Sequence, residues 1–316
     1  VQRPAVLALF SVCVMILAAL RAEALAQTPT LEDLVRERPT YTTADELREA
    51  CEPYLKPIDP QARKMPQFDE HLLFIVPHLD SEDAELRDAA VDILAQLLEV
   101  RRHIRSSAFT KYLSRDYPLN VRVVALAHSL YGFLGTGERY PKDWPADMEA
   151  AWTETLNDIA ESPATPPHFD VLAFAMTFRR SCVALVKAEN QPIMVRRLLA
   201  MVSDETRDDR ERIMKLICRF PADASVDEML AWYQEEQDAS TRAVCVDHVA
   251  SHSRSLTHIH GEPESDAKLK ALMRFLELAA QDADPEIAKK AKESLERAEA
   301  FLEESKVIFQ TPSEDE

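Results

Sequence analysis

The sequence predicts an all-α protein built from stacked helical hairpins, and three observations carry that prediction. Glycine is scarce, apolar residues recur at three- and four-residue spacing along most of the chain, and one helix-opening pattern returns several times. Only four glycines occur in 316 residues (Gly132, Gly135, Gly137 and Gly261), where average usage would give about twenty. Tight β-hairpins, phosphate-cradling loops and dinucleotide fingerprints all depend on glycine for positive φ or close backbone approach. The chain therefore holds neither a P-loop nor a Rossmann motif. Its 19 prolines fall between the apolar periodic segments or in their first turns, where helices accept them. With 46% hydrophobic residues, the chain can bury one long core or two compact ones.

The first element reads as a signal peptide over residues 1–26. Arg3 supplies the positive end, Ala5 to Leu20 is uncharged, and Ala24-Leu25-Ala26 forms a small-x-small cleavage site before Gln27. Cleavage after Ala26 predicts a periplasmic or secreted protein with no membrane attachment. The alternative, an uncleaved anchor, has an apolar run short of the ~20 residues a membrane span needs. A formal charge of −18 argues against nucleic acid as a partner, because an acidic surface repels phosphate. The same charge either steers basic partners towards the protein or serves solubility alone. Of the five cysteines, Cys51, Cys182, Cys218 and Cys245 follow the signal segment. Export permits disulfides among them in three pairings. Each also lies on the apolar side of a predicted helix, where a free thiol packs as a small hydrophobe.

Residues 27–41 are polar and form a linker. Helical repeats then run over 42–134, opened by Thr43 with Glu46 at the third helical position, a capping box. Leu47, Ala50, Cys51 and Tyr54 follow at helical spacing. A helical signal from Asp69 to Leu79, the turn Asp80-Ser81-Glu82-Asp83, and Leu86, Ala90, Ile93, Leu97 and Val100 at 4-3-4-3 spacing make a hairpin. Residues 135–167, with the neighbouring glycines and Ser162 to Pro167, predict an irregular insertion or bend holding one helix from Asp147 to Ala160. Helical repeats resume over 168–308. Residues 309–316 form an acidic tail.

The stretch Asp80-Ser81-Glu82-Asp83 followed by Leu86-Arg87-Asp88-Ala89-Ala90-Val91-Asp92-Ile93-Leu94 resembles a HEAT repeat, whose second helix opens with acidic turn residues and then aliphatic-Arg-x-x-Ala. Related stretches are Val121-Arg122-Val123-Val124-Ala125, Val195-Arg196-Arg197-Leu198-Leu199, Thr241-Arg242-Ala243-Val244-Cys245 and Ile287-Ala288-Lys289-Lys290-Ala291. The small-residue position falls at 90, 125, 199, 245 and 291, intervals of 35, 74, 46 and 46, against about 34 to 47 residues for helical-pair repeats. The resemblance covers most of residues 68–308. It implies a right-handed α-solenoid of five to six HEAT-like hairpins, with Ala90, Ala125 and Ala291 at close helix contacts. Arg87, Arg122, Arg196 and Arg242 are then structural residues that reach acidic turn residues, with Asp83, Asp116 or Asp238 as their partners. Such solenoids bind other macromolecules, so a protein or peptide partner is expected, a basic one where the acidic charge serves steering and not solubility alone. Leu199 and Cys245 depart from the pattern, as does Ala288 where the arginine belongs.

One local feature invites chemistry. His248 and His252, four apart on a helix, and His258 and His260 just beyond can supply four nitrogens to Zn²⁺, Ni²⁺ or Cu²⁺. Set against this, His248 and His252 continue the stripe of Thr241 and Cys245 and so have a packing role. The His-Glu-x-x-His arrangement of a metalloprotease is absent, as is the Gly-x-Ser-x-Gly of a serine hydrolase. The sequence therefore predicts a binding protein with no catalytic residues and no cofactor, with a metal-binding protein that uses these histidines as the alternative and an all-helical enzyme after it.

Overall fold

Thr43 opens the first helix as the sequence predicts. Its hydroxyl accepts from the Glu46 N–H at 3.3 Å, and the Glu46 carboxylate accepts from the Thr43 N–H in return. The helix, α1 (Ala44–Cys51), buries Ala44, Leu47 and Cys51 and lays them against the first helical pair. This computed structural model describes residues 41–56, 67–68, 70–100, 102–104, 106–132, 146–178, 180–204, 210–257 and 263–310. The expected signal peptide, the linker as far as residue 40, His258, His260 and residues 311–316 lie outside them.

Among the described residues six helical pairs follow, and their order in the chain is their order in space. One row holds the first helix of each pair. It comprises 3₁₀ segments at Glu70–Asp80 and Ser106–Leu113, then α4 (Ala146–Glu161), α6 (Gln191–Val202), α8 (Ala222–Glu235) and α10 (Pro263–Ala279). The other row holds α2 (Ala84–Glu99), α3 (Leu119–Gly132), α5 (Phe169–Phe178), α7 (Arg210–Ile217), α9 (Ala239–Leu256) and α11 (Pro285–Gln310). Neighbours within each row pack on one another from end to end. The chain is an all-α solenoid, in which no pair buries its apolar face without the next.

The centre of the stack explains an otherwise odd helix. Every residue from 121 to 131 in α3 is buried, including Arg122, His128 and Ser129. A helix apolar on one stripe has one covered side. α3 packs against α2, α4, α5 and the Ser106–Leu113 segment, so it is covered all round. Of its buried polar residues, His128 places Nε2 2.9 Å from the Leu94 carbonyl and stacks its ring on Phe109 at 4.6 Å, whereas the Ser129 hydroxyl is buried without a hydrogen bond.

Two local departures have physical causes. The predicted helix ending at Leu79 is a 3₁₀ segment carrying Pro77 in its interior, where proline removes an α-type donor. The described residues also include one parallel pairing, β1 (Gln67–Phe68) with β2 (Arg102–His103), two residues on each side. Beyond the end of α2 at Glu99, Arg102–His103 thus form a short extended stretch.

Five helices of the second row begin with the same bond, from the N–H of the fourth residue to the carbonyl of the residue before the helix. The pairs are Arg87 to Asp83, Arg122 to Pro118, Leu172 to His168, Arg242 to Asp238 and Ala288 to Asp284, all at 3.0–3.3 Å. This sets Arg87, Arg122 and Arg242 at one equivalent position. Arg196 does not share it. It lies on α6, in the first row, and pairs with Glu228 of α8 at 2.9 Å. The residues Val195 to Leu199 imitate the second-helix pattern, but they follow 3₁₀ turns at Arg180–Leu185 and Ala188–Asn190 and not the end of a first-row helix. The small-residue positions Ala90, Ala125 and Ala291 are each fully buried.

Candidate functional site

Two of the repeated arginines, Arg122 and Arg242, stitch pairs together. Arg87 Nη1 donates to the Ser81 carbonyl at 3.0 Å, within its own turn. Arg122 donates to the Leu113 carbonyl behind it, and reaches forward to Asp158 Oδ2 at 2.7 Å and Thr155 Oγ1 at 3.2 Å on α4. Arg242 donates to the carbonyls of Glu236 and Gln237 and forks onto Asp282, just beyond α10. The acidic partners are thus Asp158 and Asp282, one pair further along, and not Asp83, Asp116 or Asp238. Those three are engaged locally. Asp83 accepts from the Glu85 N–H, Asp238 from the Thr241 N–H and hydroxyl, and Asp116 from the Ser114 hydroxyl.

The four cysteines expected in the folded chain are buried and unbridged. Burial pushes the Cys51 thiol up to about 12. The histidine feature is half represented. His248 and His252 stand on α9, and His258 and His260 lie outside the described residues. Among the described residues no three His, Cys, Asp or Glu side chains converge as metal ligands. Burial, and then the cations of Lys268 and Arg219, push His252 down to about 4, and its Nε2 is buried without a hydrogen bond.

One opening lined by described residues runs along α4. Trp152, Leu156, Ile159 and Ala160 face the core. The other side presents Glu149, Ala150, Thr153, Glu154, Asn157 and Glu161 to a cavity of about 640 Å³, flanked by Arg115 and Lys187. At 100° per residue, Ala150, Thr153 and Asn157 fall in the middle of this stripe, with Glu149 on one side and Glu154 and Glu161 on the other. Small side chains therefore make the floor and carboxylates the walls. The flanks are short 3₁₀ segments, at Ser106–Leu113, Arg180–Leu185 and Ala188–Asn190, which leave this side of α4 open.

The groove is held by a buried amide. Asn157, 3% exposed, donates through Nδ2 to the carbonyls of Thr153 and Leu185, and its Oδ1 accepts from the Lys187 N–H at 2.9 Å and Asn190 Nδ2 at 3.0 Å. Asn190 Nδ2 also donates to Glu161 at 3.0 Å. On the opposite flank Arg115 donates to Asp158 and pairs with Glu154 at 3.2 Å. Hydrogen bonds from Arg115 hold the Asp158 carboxyl below the usual carboxylate range against the effect of its burial, and Arg122 adds to them. Sequence reading missed this site because Glu149, Thr153, Asn157 and Glu161, at strict four-residue spacing, look like any solvated helix face.

A second opening of about 390 Å³ lies between α9 and α11, over Ala243, Val246 and Ile287. Its charges are interleaved: Asp247 pairs with Lys290, and Lys289 stands beside Glu286 and Glu293.

No protein-family pattern matches the chain, and no curated protein matches it. Among solved structures, the archaeal HEAT-like repeats protein from Thermococcus onnurineus NA1 is similar at 12% identity, covering 84% of this chain and all of that one, with a TM-score of 0.39.

Proposed function

We propose that the chain is an exported, non-catalytic scaffold that binds another protein on the faces of its helical stack. The observation that carries this reading is the α4 groove. It is an open cleft of the size that binds ligands, and its walls are fixed by Asn157 on one flank and by Arg115 with Asp158 on the other. Rigid walls lower the ordering cost of association. A two-row solenoid also exposes far more helix surface per residue than a globular bundle, which suits it to extended partners. Export rests on the sequence of residues 1–26, and among the described residues no helix is long and apolar enough to cross a membrane. Affinity capture with the full chain from the native envelope fraction tests the reading. A stoichiometric protein partner is expected. Recovery of the chain alone, across mild and crosslinked captures, overturns it.

A further inference from the structure

We infer that α7, α9 and α10 together form a binding site for a phosphate-like oxyanion, with Lys268 and His252 as its ligands and Arg219 behind them. The site lies away from the α4 groove and is independent of the scaffold reading.

Two side chains there lack the partners that burial calls for. His252 stands in the last third of α9, which packs against both α7 and α10. Its Nε2 is buried without a hydrogen bond, whereas buried polar atoms are nearly always paired. Lys268 stands in the second turn of α10 and is half-buried. Among the described residues no carboxylate acts on it: burial pulls its ammonium below the ordinary lysine range, and the opposing influence comes from the Cys218 thiol. A charge drawn out of water ordinarily has an opposite charge beside it.

The groups are close enough to feel one another. Lys268 and then Arg219 act on His252, and both act on Cys218, which is buried at the end of α7. One turn earlier on α9 the pattern differs, because at His248 the carboxylates of Glu211 and Asp247 oppose Lys215 and Lys290. Among the described residues no carboxylate opposes the two cations at His252. This is a local excess of positive charge in a chain whose net charge is −18. Helix ends explain only part of it. Arg219 follows the C-terminus of α7 and donates to the Thr177 carbonyl at 3.0 Å. Lys268 lies towards the N-terminal end of α10, where the helix dipole does not favour a cation.

An oxyanion answers both deficits. With its proton on Nε2, neutral His252 donates one hydrogen bond, and Lys268 gives a charge-assisted bond to a second oxygen. Arg219 favours negative charge at that place through its field alone. A phosphate dianion gains about twice what a singly charged carboxylate gains from the same two cations, and its tetrahedral oxygens can meet donors on two helices at once.

The test is calorimetric titration of the full chain with inorganic phosphate at neutral pH, with acetate and chloride at matched ionic strength as comparators. Saturable one-to-one binding of phosphate alone is expected. Lys268→Met should weaken it about tenfold or more, while Lys270→Met, which removes an exposed cation two residues away, should change it less than about twofold. Lys268→Met removes a partly desolvated charge, so it should remain folded, and thermal melting confirms this. In the unaltered chain the His252 imidazole resonances should shift on addition of phosphate, and those of His248 should not. Phenyl phosphate distinguishes the sources of the group: binding of both compounds supports a phosphoryl group carried by a larger molecule, and binding of inorganic phosphate alone supports the free ion. Equal heats from acetate, equal losses in the two lysine variants, or no saturable binding of phosphate overturns the inference.

Discussion

Arg242 and Asp282, forty residues apart, meet as a two-bonded fork: Nε lies 2.8 Å from Oδ2 and Nη2 lies 3.2 Å from Oδ1. The Asp282 side chain is 3% exposed and that of Arg242 15%. Tyr233 also donates to Asp282. The arginine simultaneously closes the carbonyls of Glu236 and Gln237, so a single side chain finishes one turn and ties it to the next pair.

Replacing Arg242 with alanine should lower stability by about 3 kcal/mol, since it strands a desolvated carboxylate, and Arg242→Lys should recover only part of it because the fork is lost. Denaturant unfolding measures both. Burial acts to raise the Asp282 pKa, but the bonds from Arg242, Tyr233 and the Asp284 N–H outweigh it and bring it down to about 2. The stabilisation is therefore complete above the ordinary aspartate value and is lost as pH falls from there through about 2. In Arg242→Ala that acid limb should shrink. An unchanged acid limb would mean that Asp282 does not titrate against Arg242.

Asn157→Ala should cost about 2–4 kcal/mol, because it leaves the Lys187 N–H and the Asn190 amide without their acceptor in a buried place. Hydrogen exchange gives the specific readout: the Lys187 amide should lose protection while amides in α11 keep theirs. Uniform loss of protection across the chain would contradict a local role.

The arginine position was legible in sequence because its chemistry is local. An acidic or proline turn precedes Arg87, Arg122 and Arg242, and each arginine closes carbonyls just behind its own helix. The aliphatic-Arg pair and the alanine three positions on are complete at the first two and replaced by Thr241 and Cys245 at the third. Arg196 shares the aliphatic-Arg pair but has Leu199 in place of the small residue, and that bulk marks a different helix row. The partners were less legible. Asp158 and Asp282 lie 36 and 40 residues beyond their arginines, and nothing local distinguishes them from Asp116 or Asp238. Least visible was the network of Asn157 and Asn190, which depends on irregular turns bringing residues 185–190 back across α4.

Ala90→Phe should destabilise the protein by ~1–3 kcal/mol, since Ala90 has no exposed surface and its α2 neighbours Leu86, Ile93, Leu94 and Leu97 are buried with it. Thermal melting tests this. A variant with an unaltered melting temperature would place Ala90 away from the close contact the register assigns to it.

His252 provides the last prediction, and it separates packing from metal binding. Its imidazole is held neutral by burial, with Lys268 and Arg219 adding to the effect, and its pKa is pushed down to about 4. His248 is lowered chiefly by burial, with Glu211 and Asp247 opposing and Lys215 and Lys290 adding. The unfolded chain takes up these protons near pH 6.5. Between about 6.5 and 4 the unfolded state therefore binds more protons than the folded one, and stability must fall as pH falls across that window. His252→Leu removes one of the two groups and should flatten the slope, as read from denaturant midpoints at a series of pH values. A bound Zn²⁺ at His252 would set a further positive charge near two cations already close to it, which disfavours coordination there. Calorimetric titration with Zn²⁺ should accordingly give the same weak isotherm for the unaltered chain and for His252→Leu. Saturable one-to-one binding that disappears with His252 would refute the packed, neutral imidazole and make α9 part of a metal site.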